Sequence, residues 1–255
     1  MNKNKTTISK NLLNDLQTLS LDELDEVKLL DRKDTKFIFN QNQLPSILGE
    51  IKPYYRILEI NNSSIFNYDN TYFDTNNFLF YNQHHNEHRK RFKVRFRKYS
   101  SSKSFFEIKI KNNKNRTIKK RMRVNEMNKH LGKQEKKMVS EIIGLNPTRL
   151  SPILDIQFSR ITLTDNNFSE RLTIDTNLSV KNGTSSEIFD QLAISEVKQE
   201  KYNPRSYFIQ IVRNLKIPEM RFSKYCMGML HINKKIKYNR FKPKLLQINK
   251  ILTQV

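Results

Sequence analysis

The segment Arg91-Phe92-Lys93-Val94-Arg95-Phe96-Arg97 alternates cationic and apolar side chains. A period of two is that of a β-strand, so the cations take one strand face and the apolar groups the other. Arg91, Lys93, Arg95 and Arg97 then stand side by side, about 7 Å apart. Such a row repels itself unless it meets a strong anion. Phe105-Phe106-Glu107-Ile108-Lys109-Ile110-Lys111 follows with the same alternation, and its Glu107-x-Lys109 spacing returns in Ser195-Glu196-Val197-Lys198. Two Glu-x-Lys strands around one cavity would offer carboxylates to a divalent cation and ammonium groups to phosphates. Hard oxygen ligands of this kind suit Mg2+ or Mn2+.

Other clusters extend the pattern. Lys119-Lys120-Arg121 is a basic run on a strand-like segment. Arg160 shares parity with Ile156 and Phe158, an apolar-looking face, so it either pairs with a carboxylate or meets a ligand. Arg171-Leu172-Thr173-Ile174-Asp175 is a further alternating strand, and Arg221-Phe222-Ser223-Lys224-Tyr225 opens a helix, where backbone amides and nearby cations make an anion site.

The elements that must position these groups follow from periodicity. Residues 8–31 carry leucines at helical spacing, with Val27 and Leu29 continuing the pattern and a Ser20/Glu23 capping box. Lys36–Phe39 reads as a strand and 43–51 as a helix. Strands follow at Tyr54–Ile60, Ser64–Asp74, Arg91–Tyr99, Ser104–Lys111 and Ile118–Val124, separated by Asn- and Ser-rich turns. A helix over 133–144 stops at Gly144. Strands resume at Leu154–Thr164, Arg171–Val180 and Ala193–Lys198, and two helices, about 204–216 and 221–233, close the fold. Seven or eight antiparallel strands with charged inner faces imply an α+β fold built on a closed barrel with flanking helices. A charged barrel interior needs a counter-charged ligand.

Composition points the same way. The 255 residues hold 47 Lys and Arg against 25 Asp and Glu, a net charge of +22, which asks for a polyanionic partner. Bulky core material comes from 16 Phe and 10 Tyr. One domain is expected over 1–255, with a core at about 30–233 and a basic tail at 234–255. No apolar run approaches the roughly 20 residues that cross a bilayer. Met1–Lys10 is polar and carries no signal-peptide pattern. The single Cys226 excludes an internal disulfide and reads as a small buried hydrophobe.

Taken together, several segments resemble the catalytic domain of the vacuolar transporter chaperone (VTC) complex and its bacterial relatives, the polyphosphate polymerase domain, within the CYTH-like triphosphate tunnel metalloenzymes. They are Arg32-Lys33-Asp34-Thr35-Lys36-Phe37, Tyr72-Phe73-Asp74-Thr75, Lys93-Val94-Arg95-Phe96-Arg97-Lys98-Tyr99, Phe106-Glu107-Ile108-Lys109, Arg171–Thr176, Ser195–Lys198 and Arg221–Tyr225. They stand in the family's order over roughly 30–230. The resemblance implies an eight-stranded antiparallel barrel open at both ends, and transfer of the ATP γ-phosphate to a polyphosphate chain with Mn2+ or Mg2+. It implies that Lys36, Arg95, Arg97, Lys109, Arg160, Arg171, Arg221 and Lys224 hold phosphates, joined by Lys93, Lys198 and either Lys119 or Lys120. Ser223 would donate to a phosphate oxygen. Glu196 is the first candidate metal ligand, ahead of Glu107 and Asp175. The superfamily's Glu-x-Glu-x-Lys strand reads Arg32-Lys33-Asp34-Thr35-Lys36 here, so its first acid is missing, as in the polymerase branch. Arg221 stands where the family often has Lys, which keeps charge but changes geometry. A cytoplasmic location follows, with an integral membrane partner as one route to the inner membrane face.

Alternatives stay open: a triphosphatase or polyphosphatase on the same barrel, or a non-catalytic polyphosphate or inositol-polyphosphate sensor. Nucleic acid is not expected, because the cations alternate with core-like aromatics rather than with exposed stacking rings. His84 and His88 have the i, i+4 spacing of a helical zinc pair, but without a third ligand or a Cys partner His84, His85 and His88 read as structural or surface residues. Tyr72 and Tyr99 read first as packing residues, with contact to a nucleotide base as the other reading.

Overall fold

The computed structural model describes residues 10–25, 32–100, 103–114, 116–183 and 185–253. The strands are β1 (Gln17–Leu19), β2 (Lys33–Asn40), β3 (Tyr55–Leu58), β4 (Phe66–Thr75), β5 (Arg91–Tyr99), β6 (Ser104–Lys111), β7 (Thr117–Val124), β8 (Leu150–Asp165), β9 (Glu170–Asn182), β10 (Ser185–Phe189) and β11 (Leu192–Gln199). The helices are α1 (Lys10–Leu13), α2 (Leu21–Asp25), α3 (Leu44–Ile51), α4 (Leu79–His85), α5 (Lys133–Ile143), α6 (Tyr207–Asn214), α7 (Lys224–Ile232) and α8 (Lys242–Thr253).

Eight strands form one antiparallel path in the order β2-β11-β9-β8-β4-β5-β6-β7. Three short strands attach to it: β10 on β9, β3 on β8, and β1 parallel to β3. The eight strands expected are therefore present, but the path does not close. Among the described residues β7 pairs only with β6, and the free edge of β2 is met instead by the segment before α7, where the Met220 amide donates to the Lys36 carbonyl at 2.8 Å.

Alternation decides which face each residue takes. In β5 the apolar positions Phe92, Val94 and Phe96 are buried, while Arg91, Lys93, Arg95 and Arg97 are half-buried. The buried set packs with Phe80 of α4, Phe106 and Ile108 of β6, and Val139 of α5. On the other flank Phe37, Phe39, Ile161, Leu163, Leu172 and Ile174 pack with α3 and α6. Each fully buried side chain of this size contributes about 1.5–3 kcal/mol. Helices α3, α5 and α6 thus cover the convex side, and the cations line the concave side.

The concave side is not charged throughout. Ile38, Leu154, Ile156, Leu178, Val180 and Ile194 form an apolar cluster with Cys226, Met227 and Met229 of α7 and Ile248 of α8. Register places them on the concave face: Ile38 and Ile194 share parity with Lys36 and Glu196, and Leu154 and Ile156 with Arg160. In β9 a bulge makes the change. Gln157 faces Ser179 but Ser159 faces Thr176, and Asn177 at the extra position has φ +52°. Asp175 and Leu178 thereby point to the same side.

Several expectations are corrected here. The segment expected as one or two short helices holds two, α1 and α2, with the unexpected strand β1 between them; Val27, Leu29 and the polar residues 1–9 lie outside the described residues. Helix α4 has no clear periodic signature. Buried Asp74 anchors its start, accepting from the Phe80 and Tyr81 amides at 2.9 Å each. The segment after residue 233 is not simply a solvated tail: α8 buries Ile248, and Asn40 Nδ2 donates to the Ile251 carbonyl at 3.0 Å.

Candidate functional site

Three ion-paired clamps stand on the concave face. In the first, Arg95 donates through Nε and Nη2 to Glu107 Oε2 at 2.8 and 2.6 Å, and through Nη1 to the Tyr72 hydroxyl at 2.9 Å. Register explains the geometry, since Arg95 lies between Tyr72 on β4 and Glu107 on β6. The Glu107 side chain is only 1% exposed. Burial would raise its carboxyl, but Arg95 and Arg97 hold it down at about 2. Lys119 stands 3.7 Å from Glu107 Oε1.

In the second clamp, Glu196 receives Lys36 at 2.7 Å and Lys198 at 2.5 Å. Burial opposes its ionisation, yet Lys198 and Lys36 keep it well below the ordinary range. In the third, Arg160 Nε and Nη2 bond Asp175 at 2.5 and 2.8 Å, and Lys224 bonds the same carboxylate. Burial again opposes, and Arg160 and Lys224 hold Asp175 at about 2. The Arg160 guanidinium also lies 5.0 Å from the Tyr68 ring and 5.3 Å from that of Phe158.

Between the clamps stand cations with no carboxylate partner among the described residues. Arg97 Nε donates only to Asn70 Oδ1, at 2.8 Å. Lys93 donates to Ser223 Oγ at 2.8 Å, and Ser223 caps α7 by accepting from the Cys226 amide. Lys109 makes no hydrogen bond or ion pair among the described residues. Burial, then Arg95, pushes its ammonium down to about 7. Lys109 on β6 feels Glu196 and Lys198 on β11, and Lys93 on β5 feels Lys36 on β2. The two flanks of the sheet therefore face each other across one concavity.

Most sequence-derived candidates meet here: Lys36, Lys93, Arg95, Arg97, Glu107, Lys109, Arg160, Asp175, Glu196, Lys198, Ser223 and Lys224. Arg171 lies toward one end, opposite Lys198, with Nη2 donating to the Leu24 carbonyl at 2.8 Å. Arg221 is exposed at the rim, beside a pocket of about 110 Å³ lined also by Asp34, Lys36 and Phe222. Of the two lysines on β7, Lys119 faces Lys109 and belongs to the concave side. Lys120 faces Ile108 and lies on the opposite side, so its placement among the phosphate ligands is corrected. Tyr72, Asn70 and Tyr68 were not read as site residues. They hold the arginines, and only the β4–β5 register reveals it.

The donor set does not fit a resident divalent cation. Both oxygens of Glu196 are taken by ammonium groups, both oxygens of Asp175 by Arg160 and Lys224, and Oε2 of Glu107 by Arg95; Glu107 Oε1, buried and without a hydrogen bond, is one free oxygen 3.7 Å from Lys119, too few for a cation site. No three His, Cys, Asp or Glu groups converge as a metal site among the described residues. His84 and His85 sit on α4, and burial pushes the His84 imidazole down to about 2.

A rolled antiparallel sheet, helices packed on both its sides and a cationic concavity define the class: an α+β protein with the triphosphate tunnel fold. Among solved structures, one described as "Putative adenylyl cyclase HpAC1 from Hippeastrum reveals a dominant triphophatase activity" has the same fold, with TM-score 0.50 and 11% identity over 82% of this chain and 98% of that one. The inorganic triphosphatase NE1496 is a remoter likeness, with TM-score 0.31 and 9% identity over 78% of this chain and 95% of its own. A search of curated proteins found no match. The sequence matches the VTC domain over residues 31–233, and the chain belongs to the VTC domain family.

Proposed function

We propose that the chain transfers the γ-phosphate of ATP to a polyphosphate chain held in the concavity. The observation that carries this reading is the surplus of positive charge: Lys93, Arg97 and Lys109 have no carboxylate partner among the described residues. A run of phosphates supplies the missing counter-charge. Phosphoryl transfer asks a protein for in-line positioning and charge neutralisation rather than covalent chemistry. Guanidinium and ammonium groups fixed by the clamps meet charge on the equatorial oxygens without reorganising. The terminal phosphate of the acceptor is already ionised at neutral pH, so no general base is needed. An integral membrane partner that receives the chain is part of the same proposal; no helix among the described residues is long and apolar enough to cross a membrane.

Hydrolysis of triphosphate is the second reading, favoured by the activity named for the Hippeastrum neighbour. Incubation with ATP, with and without Mn2+ or Mg2+, separates the two on a gel stained for polyphosphate. Chain growth supports the polymerase, free phosphate alone supports the hydrolase, and neither leaves a binding module. Arg97→Ala should abolish turnover while keeping the fold, because Asn70 is the only hydrogen-bond partner it strands among the described residues. Persistent activity in that variant would remove Arg97 from the site.

A further inference from the structure

The concavity has a dry half and a wet half. In the dry half α7 is seated so closely that a Cβ on Gly228 would lie 2.8 Å from Leu154 Cδ2 and 2.9 Å from Val180 Cγ1. A phosphate chain held at Lys109 cannot continue through that packing. On the opposite flank lies β7, the last strand of the path, which pairs only with β6 among the described residues. Its register sets Lys119 against Lys109, Arg121 against Glu107 and Arg123 against Phe105. The three cations therefore continue the concave row sideways, out of the cluster and onto the surface.

All three are exposed, the Lys119 side chain by 42%. Arg121 lies 4.9 Å above the Phe105 ring, which props its guanidinium over the concave face. Neither Arg121 nor Arg123 is ion-paired among the described residues. A single triphosphate seated at Lys109 would leave them unused.

Resting on the phosphate-chain reading above, we propose that β7 is a lateral track for polyphosphate. The phosphoanhydride chain held at Lys109 passes Lys119 and leaves the molecule along Arg121 and Arg123. The chain thus departs through the unsealed side of the sheet rather than through its far end.

The test compares affinities of the full chain for tripolyphosphate and for polyphosphate of several tens of units, using an Arg121→Gln/Arg123→Gln double variant. Both positions are exposed, so the fold should survive, and the melting temperature verifies this. Long-chain affinity is expected to fall about tenfold, with tripolyphosphate within about twofold. Lys120→Gln, on the opposite face of the same strand, removes charge without touching the track and should change neither affinity. An unchanged long-chain affinity, equal losses for both ligands, or an equal effect from Lys120→Gln would each overturn the track. If the unaltered protein binds neither ligand, the phosphate-chain reading itself falls, an outcome distinct from the others.

Discussion

With no carboxylate bonded to it among the described residues, Lys109 is sensitive to pH near neutrality. Its ammonium pKa is pushed down to about 7, so the empty site holds it only partly charged near neutrality. A bound polyanion favours the charged form and raises that pKa, so binding takes up a proton. Between pH 7 and the raised value, this contribution to affinity falls as pH rises, by up to about tenfold per unit for one proton. Lys109→Arg keeps its charge throughout and should flatten the difference, which calorimetry in buffers of different ionisation enthalpy would measure. Arg95 is a different case from Arg97. Removing it leaves Glu107, 1% exposed, without its main partner, so Arg95→Ala should cost about 3–5 kcal/mol in denaturant melts as well as activity. Much of this was legible in the sequence, because strand alternation alone puts Lys93, Arg95, Arg97, Glu107 and Lys109 on one face. Tyr72 and Asn70 were not, since which strand lies beside β5 is a matter of tertiary pairing.

Among the elements, α7 depends on a glycine. Gly228→Ala would press a methyl onto Leu154 and the stiff Val180, and should lower stability by about 1–3 kcal/mol in thermal or denaturant unfolding. Long periodic elements were read correctly: β5, β6, α3 and α5, the last ending at Gly144 with φ +73°. The misses have physical causes. Helix α4 rests on Asp74 from the preceding strand, not on its own pattern. Strand β10 is mostly exposed and leans on β9, so it shows little hydrophobic alternation. Helix α8 looks like a basic tail because few of its side chains are buried, and its docking is seen only once Ile248 meets the concave cluster.

At the scale of the whole molecule, a net charge of +22 makes the folded protein a receptor for polyanions and strains it without them. Tripolyphosphate should raise the melting temperature, with a stabilisation of about 2.7 kcal/mol at a hundredfold excess over Kd, fading as salt is added. The clamps set the acid limit. Glu107 and Asp175 have folded values near 2, below their ordinary values of 4.5 and 3.8. Their stabilisation is complete above the ordinary range and is lost as pH falls toward 2, so unfolding should set in across that window. A fold of this kind also measures its own length. Because the extra residue at Asn177 is what lets Leu178 and Val180 share a face with Asp175, flattening the bulge with no residue lost would swing both into water if Asp175 kept its place beside Arg160. The frontier between solvent and oil in the hollow is thus drawn by one doubled position along one strand, and straightening that position at full length would invert everything beyond it.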